Sequence, residues 1–427
     1  MKALGFQGWM RRVMPVVLTV LVAACGGGGG GGGGSTSVNS TATVSSIAVA
    51  GANALAVTVD AGPAGSGNNV NRLYTTVTVC PAGSTTQCQT IDHVLLDTGS
   101  TGLRLLASVL NSSAAYTPML ASGGMPLLNC AQFVDGSYAW GPVASADVTL
   151  GSKTASAVPV QIMGSPAILT SADSCNPGGG GELSTVSALG AKGILGLGLF
   201  QRDCGAGCVS NAGNGYYYTC TDANCTASVG ATAPLTSQLT NPVVRFATDN
   251  NGFVITLPSV SSPGAASVNG ALVFGVNTQS NNQFTAGSVL TTSSVGYITT
   301  HLGSQTLRSS FIDSGSNGLF FDSSTLVTCS VASGLDSFYC PASSQSYASV
   351  TLTGANAASA NVSFVVGNAQ TLLNTGYNAL PTLAGPYSLF GYSGSFDWGL
   401  PFFYGRSVFF GIDQMSSSLG TGPLMAF

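Results

Sequence analysis

Beyond residue 45 the apolar positions fall into short alternating or β-branched runs, cut by clusters of Gly, Asn and Ser. NRLYTTVTVC (71–80), VASADVTLGS (143–152), NGFVITLPSV (251–260), NVSFVVG (361–367) and RSVFFGID (406–413) are representative. A period of two, bounded by turn residues, predicts strands. Helical spacing is scarce, and PLTSQL (234–239) amounts to one short turn. The expected fold class is all-β, with Gly- and Ser-rich stretches such as NPGGGGELST (176–185) as surface insertions.

The first 45 residues follow another pattern. Lys2, Arg11 and Arg12 precede the apolar stretch VMPVVLTVLVAA (13–24), which is too short to span a bilayer. LVAAC (21–25) resembles a bacterial lipobox, so residues 1–24 are expected to be a signal peptide and Cys25 the lipidated first residue of the mature chain. Nine glycines (26–34) and a Ser/Thr-rich segment complete a tether over 25–45. Such a coil of about 20 residues has a reach of roughly 25 Å. The expected location is the cell envelope, lipid-anchored. Gly26 after the lipid-bearing Cys favours the outer membrane, by resemblance to Gram-negative sorting.

Charge narrows the function classes. Only 6% of the chain is Asp, Glu, Lys or Arg, and the formal net charge is −4. No basic patch is available, which argues against a nucleic-acid partner. Export and the ten cysteines left after Cys25 favour disulfides. Cys80 with Cys88 and Cys329 with Cys340 would close local loops. Cys204, Cys208, Cys220 and Cys225 leave a tetrathiolate zinc site as the lesser alternative. No metal or cofactor is expected, and the chain is expected to be a monomer.

Against this sparing use of charge, an acid sits inside an apolar run: VLLDTGSTGLRLL (94–106). The pattern returns as SFIDSGSNGLFFD (310–322). Asp97 matches Asp313, Thr98 matches Ser314, Gly99 matches Gly315, and Ser100 matches Ser316. A second echo follows each copy, GILGLGLF (193–200) and DWGLPFF (397–403), with Gly196 matching Gly399. The order acid loop, then apolar-Gly strand, occurs twice, as expected for two homologous lobes, assigned to 46–240 and 241–427. Glycine permits a sharp turn after each acid. The flanking hydroxyls can fix the carboxylate. Two such loops face to face would make Asp97 and Asp313 share one proton and titrate as a unit. One acid can then take a proton from water while the other gives one to a substrate carbonyl.

The two loops resemble those of pepsin-like aspartic peptidases. NRLYTTVTV is similar to that family's first-lobe hairpin, GILGLG to the strand behind its acid loop, and FVDGSYAWGPVASADVTLG (133–151) to its flap. WGLPFFYGRSVFFGID (398–413) is similar to its closing strands. The resemblance covers roughly 70 to 425 in short islands. It implies a two-lobed β fold with a cleft and a catalytic pair Asp97 and Asp313. Thr98 and Ser314 would hold the loops together, beside Gly99 and Gly315, and Ser100 and Ser316 would orient the outer carboxylate oxygens. The flap would bring Phe133, Asp135, Gly136, Ser137 and Tyr138 to a peptide or protein substrate.

Three departures stand out. Phe133 occupies the usual flap Tyr position, with Tyr138 or Trp140 as substitutes if the hairpin is shifted. Gly102 and Gly318 alter the residues after each acid motif. Asp397 replaces an apolar residue in the second apolar-Gly strand. The lipobox, tether and low charge also resemble a group of proteobacterial lipoproteins of unknown function. His93, four residues before Asp97, would share its strand face, yet neither it nor His301 builds a triad. The alternatives to a peptidase are a pepsin-fold surface binding or adhesion module without turnover, and a structural lipoprotein with an unrelated β-sandwich. The last predicts acids far apart.

Overall fold

A computed structural model describes residues 45–427 apart from 113, 169–174, 177–178, 389–390 and 392. The signal peptide, Cys25 and nearly all of the tether lie outside the described residues. Among the described residues no helix is long and apolar enough to cross a membrane.

The fold is all-β. The first half contributes β1 (Ala54–Val59), β2 (Leu73–Pro81), β3 (Gln89–Asp97), β4 (Thr101–Leu106), β5 (Leu127–Gln132), β6 (Tyr138–Leu150), β7 (Lys153–Met163) and β8 (Gly193–Leu197). The second contributes β9 (Gly252–Leu257), β10 (Val268–Phe274), β11 (Ile298–Leu302), β12 (Gln305–Ile312) and β13 (Leu319–Phe321). It continues with β14 (Gln345–Thr353), β15 (Ser359–Val366), β16 (Phe396–Trp398), β17 (Arg406–Gly411) and β18 (Leu424–Ala426). Strands β11 to β16 belong to a separate seven-stranded sheet. Strands β9, β10, β17 and β18 instead join the sheet of the first half, through β10 against β1 and β1 against β2. A continuous ladder of backbone hydrogen bonds therefore ties the two lobes together.

Both lobes contain the same knot of three strands. In the first, β8 runs parallel to β3 and antiparallel to β4, with Gly196 opposite both Asp97 and Gly102. In the second, β16 runs parallel to β12 and antiparallel to β13, with Trp398 opposite Ile312 and Leu319. The crossing is tight enough to require glycine. A Cβ on Gly196 would lie 2.8 Å from Gly102 O, and one on Gly399 would lie 2.1 Å from Gly318 O. The matched pair of the sequence repeat thus meets matched neighbours.

Apolar residues on both sides of each acid anchor the loops. Val94, Leu96, Leu103 and Leu105 are fully buried in the main core, each such burial contributing about 1.5–3 kcal/mol. In the second lobe Phe321, Phe396 and Trp398 stack face to face, with Phe364 edge-on against all three. The Trp398 indole N–H donates to Thr300 Oγ1 at 3.0 Å, which satisfies its one polar atom.

Five disulfides are present among the described residues. Cys80–Cys88 and Cys329–Cys340 close the local loops expected. Cys204–Cys208 and Cys220–Cys225 take up the four thiols of the alternative zinc reading, which is thereby set aside. Cys130–Cys175 joins residues 45 apart. The glycine-rich segment is also more than a surface insertion. Gly181 O accepts from the Tyr138 N–H at 3.1 Å and the Leu183 N–H donates to Tyr138 O at 2.8 Å, so part of it lies along β6 as an extra edge.

Candidate active site

Asp97 ends β3 and Asp313 directly follows β12, and in each case the chain then turns through the glycine two residues on. Within each loop the same two donors hold the carboxylate. Gly99 N–H donates to Asp97 Oδ1 at 2.8 Å and Ser100 Oγ donates to Oδ2. Gly315 N–H donates to Asp313 Oδ1 at 2.8 Å and Ser316 Oγ donates to Oδ2 at 2.9 Å.

The loops face each other. A Cβ on Gly99 would sit 2.8 Å from Asp313 Oδ2. A Cβ on Gly315 would sit 2.6 Å from Asp97 Oδ1 and 3.1 Å from Asp313 Oδ1, so one point lies close to an oxygen of each acid. Only glycine leaves room for this approach. The acids, 216 residues apart in sequence, therefore meet, which excludes the sandwich alternative.

Thr98 and Ser314 bind the loops across the junction. Ser314 N–H donates to Thr98 Oγ1 at 2.9 Å and Thr98 N–H to Ser314 Oγ at 3.2 Å. Their hydroxyls then donate onward, Thr98 to Ile312 O at 3.2 Å and Ser314 to Leu96 O at 2.7 Å. Both side chains are buried. Each hydroxyl is thus used once as acceptor and once as donor, always on the opposite loop.

The flap residues divide between the two faces of the β5–β6 hairpin. Asp135 and Gly136 form its exposed tip, where Asp135 Oδ1 accepts from the Ser137 N–H at 2.9 Å and hydroxyl at 2.6 Å. Phe133 packs on the face that holds Leu95 and Ile194. Tyr138 and Trp140 lie on the other face, with Cys130, Cys175 and Tyr218, so neither stands in for a flap tyrosine beside Phe133. His93 is also displaced from expectation. Its φ of +51° breaks the strand alternation that would align it with Asp97. It pairs instead with Asp92 at 2.6 Å and Asp60 at 3.3 Å. His301 is half-buried, with Thr306 Oγ1 at 3.5 Å from its Nδ1.

Two further residues enter the site that its motifs did not name. Asn71, buried at the start of the first-lobe hairpin, donates to Asn317 O in the second acid loop at 2.8 Å and to Leu380 O at 2.8 Å. Its oxygen accepts from Leu380 N–H and the Tyr404 hydroxyl. Its sequence signal was only that of a turn asparagine. Asp397 on β16 is 4% exposed, and its Oδ2 lies 2.6 Å from Ser316 Oγ. Its signal was the misplaced acid in an apolar strand.

Burial, then the charge of Asp97, then that of Asp397 hold the Asp313 carboxyl well above the usual range. Burial pushes Asp397 up to about 8, and Asp203 up to about 6 despite Arg104 nearby. All three keep their protons to higher pH in the folded chain than in the unfolded one, where Asp titrates near about 4. The native state therefore binds more protons above that point. The associated stability is full at lower pH and is lost as pH rises towards about 8. Asp92, pulled down to about 2 chiefly by Lys192, acts below this window. The melting temperature is expected to fall by about 5 °C or more between pH 5 and pH 9. A calorimetric series that is flat or rising over that range contradicts the burial of these acids.

A model of a family of proteins of unknown function, DUF3443, matches residues 49–427. No protein of curated function matches the chain in sequence. Among solved structures, an aspartic proteinase from Irpex lacteus aligns with a TM-score of 0.43 and 16% identity, over 87% of this chain and 96% of that one.

Proposed function

Because the chain belongs to DUF3443, a family whose function is unknown and which lends it no activity, we propose one from the site: an envelope-tethered aspartic endopeptidase. The observation that carries the reading is the pair Asp97 and Asp313, each held by a glycine N–H and a serine hydroxyl, with loops close enough to share one proton. In this reading a water between the carboxyls gives a proton to the ionised acid and attacks the peptide carbonyl. The protonated acid donates to the carbonyl oxygen. Collapse of the tetrahedral adduct breaks the C–N bond as the first acid passes the proton it took from water to the leaving nitrogen and a hydroxyl of the adduct returns a proton to the second acid, which leaves a carboxylic acid, an amine and the pair in its starting state. An extended peptide would add its backbone to strand edges beside the pair. Cys25 and the tether would hold the enzyme at the membrane surface.

One observation favours the second reading, a binding module without turnover. The hairpin is fastened by Cys130–Cys175 and by backbone bonds from Gly181 and Leu183, which restrains the opening that a flap over substrate requires. A statine-containing peptide separates the two. The peptidase reading expects tight binding at acidic pH, weakening as the pair loses its shared proton, together with inhibition of the cleavage of an unfolded protein substrate. Absence of both binding and cleavage from pH 3 to 8 favours the module.

A further inference from the structure

The two lobes differ at several positions of their shared knot, and one of the differences puts a carboxyl beside an acid loop. Gly196 and Gly399 correspond, so Ile194 of the first lobe corresponds to Asp397 of the second. Ile194 is buried among Leu95, Leu106 and Ala139. Phe396 and Trp398 turn into the aromatic core, so by the alternation of a strand Asp397 turns to the other face of the sheet. There the Ser316 hydroxyl lies 2.9 Å from Asp313 Oδ2 and 2.6 Å from Asp397 Oδ2. In the first lobe Ser100 has Asp97 alone as its carboxylate partner among the described residues.

A serine hydroxyl carries one hydrogen and two lone pairs, and an ionised carboxylate only accepts. Two hydrogen bonds at Ser316 need two protons. The hydroxyl supplies one, and the other belongs to a carboxyl. Asp313 has a fixed N–H donor in Gly315, which favours its charge. Asp397 has no such donor, and its Oδ1 is buried without a hydrogen-bond partner among the described residues. A charged oxygen stranded there would cost far more than a neutral one. In register beside Asp397 stand Phe311 of β12 and Phe320 of β13. The titratable groups that act on it are Asp97 and Asp313. Beyond Phe311 lie Tyr297 and Tyr387.

We propose that Asp397 is a positioning residue, a neutral third carboxyl that donates its proton to Ser316 and so turns the Ser316 hydroxyl onto Asp313. The proposal rests on the peptidase reading and adds to it a built-in alkaline limit. While Asp397 is neutral, Asp313 is held as Asp97 is, by one glycine N–H and one serine hydroxyl, and the pair is symmetric. Once Asp397 ionises, the Ser316 hydroxyl swings to the new charge, Asp313 loses a donor, and the pair is unbalanced. Burial of Asp397, which raises its proton affinity, sets that limit near neutral to mildly alkaline pH.

The test uses two variants of the folded chain, Asp397→Asn, which keeps shape and a donor, and Asp397→Ile, which installs the residue of the first lobe. The first readout needs no activity. With aspartate carbon-13 labelled at the side-chain carboxyl, the wild type is expected to show one carboxyl resonance, absent from both variants, that stays neutral at pH 6 and titrates above it. If that resonance instead titrates near about 4, as an ordinary Asp does, the proposal fails. The second readout is the alkaline weakening of statine-peptide binding. Wild type is expected to lose two protons, about 100-fold per pH unit, and either variant one, about tenfold. Equal slopes in all three overturn the coupling of Asp397 to the pair, since a merely structural hydrogen bond would leave the slope unmoved. If the resonance behaves as expected yet no statine peptide binds at any pH, the proton placement stands and the peptidase reading is what fails.

Discussion

Replacing Asp97 by Asn is expected to lower kcat for peptide cleavage by about 10²–10⁴-fold or more while leaving the fold intact. Asparagine fits the same space; its oxygen still accepts from the Gly99 N–H, while its NH2, in the place of Oδ2, donates to the Ser100 oxygen, which turns its own proton elsewhere. It cannot take a proton from water. It also removes the charge that, after burial, does most to raise Asp313. Asp313 should then release its proton at lower pH than in the wild type, although it retains Asp397 as a neighbour. Two measurements therefore move together: turnover collapses, and the carboxyl signal of Asp313 shifts towards the ordinary range. Asp313→Asn should match it in turnover. A residual rate equal to wild type in either variant removes the paired-acid mechanism. Loss of rate with loss of folded protein would indicate collapse of the loops, which melting curves at pH 5 would reveal.

How far the fold and the site were legible follows from the range of the interactions involved. The acid loops were readable because their chemistry is local: glycine for the turn, hydroxyls within three residues of each acid, and apolar residues before it. Their duplication carried the long-range information, since two copies of a strand ending in an acid imply two knots that can face each other. The all-β class followed from the alternating and β-branched runs that became β2, β6, β9, β15 and β17. Contacts made by backbone left no such trace. The segment around Gly181 pairs with Tyr138 through N–H and C=O groups that every residue has, so its glycines read only as a loop. Cys130–Cys175 spans 45 residues, a separation that ten cysteines leave open. His93 was assigned a strand face by counting, and a single positive φ undid the count. Asp397 was visible as the wrong residue type for its strand. Its partner Ser316 lies 81 residues away and is found only by folding the chain.

Thr98→Val and Ser314→Ala are expected each to destabilise the protein by about 2–4 kcal/mol, and together by less than the sum. Valine keeps the shape of Thr98, and alanine is the smaller counterpart of serine. Each substitution removes one bond given and one received, leaving a buried N–H and a buried C=O without partners. An orphaned buried polar group costs about 1–3 kcal/mol. The four bonds are all distinct, so a purely local account predicts simple addition. The loops, however, meet as one body: each glycine leaves to the opposite acid the space that a Cβ would take. If the first substitution already lets them part, the second has less to lose. The double variant should therefore fall short of additivity by about 1 kcal/mol or more in denaturant unfolding. Statine-peptide binding should fall in each single variant at temperatures well below its melting point, because the pair is held only while the loops touch. Costs that add within about 0.5 kcal/mol, with binding intact, would mean that the two hydroxyls serve their own turns and that the spacing of Asp97 and Asp313 is set by the sheets behind them.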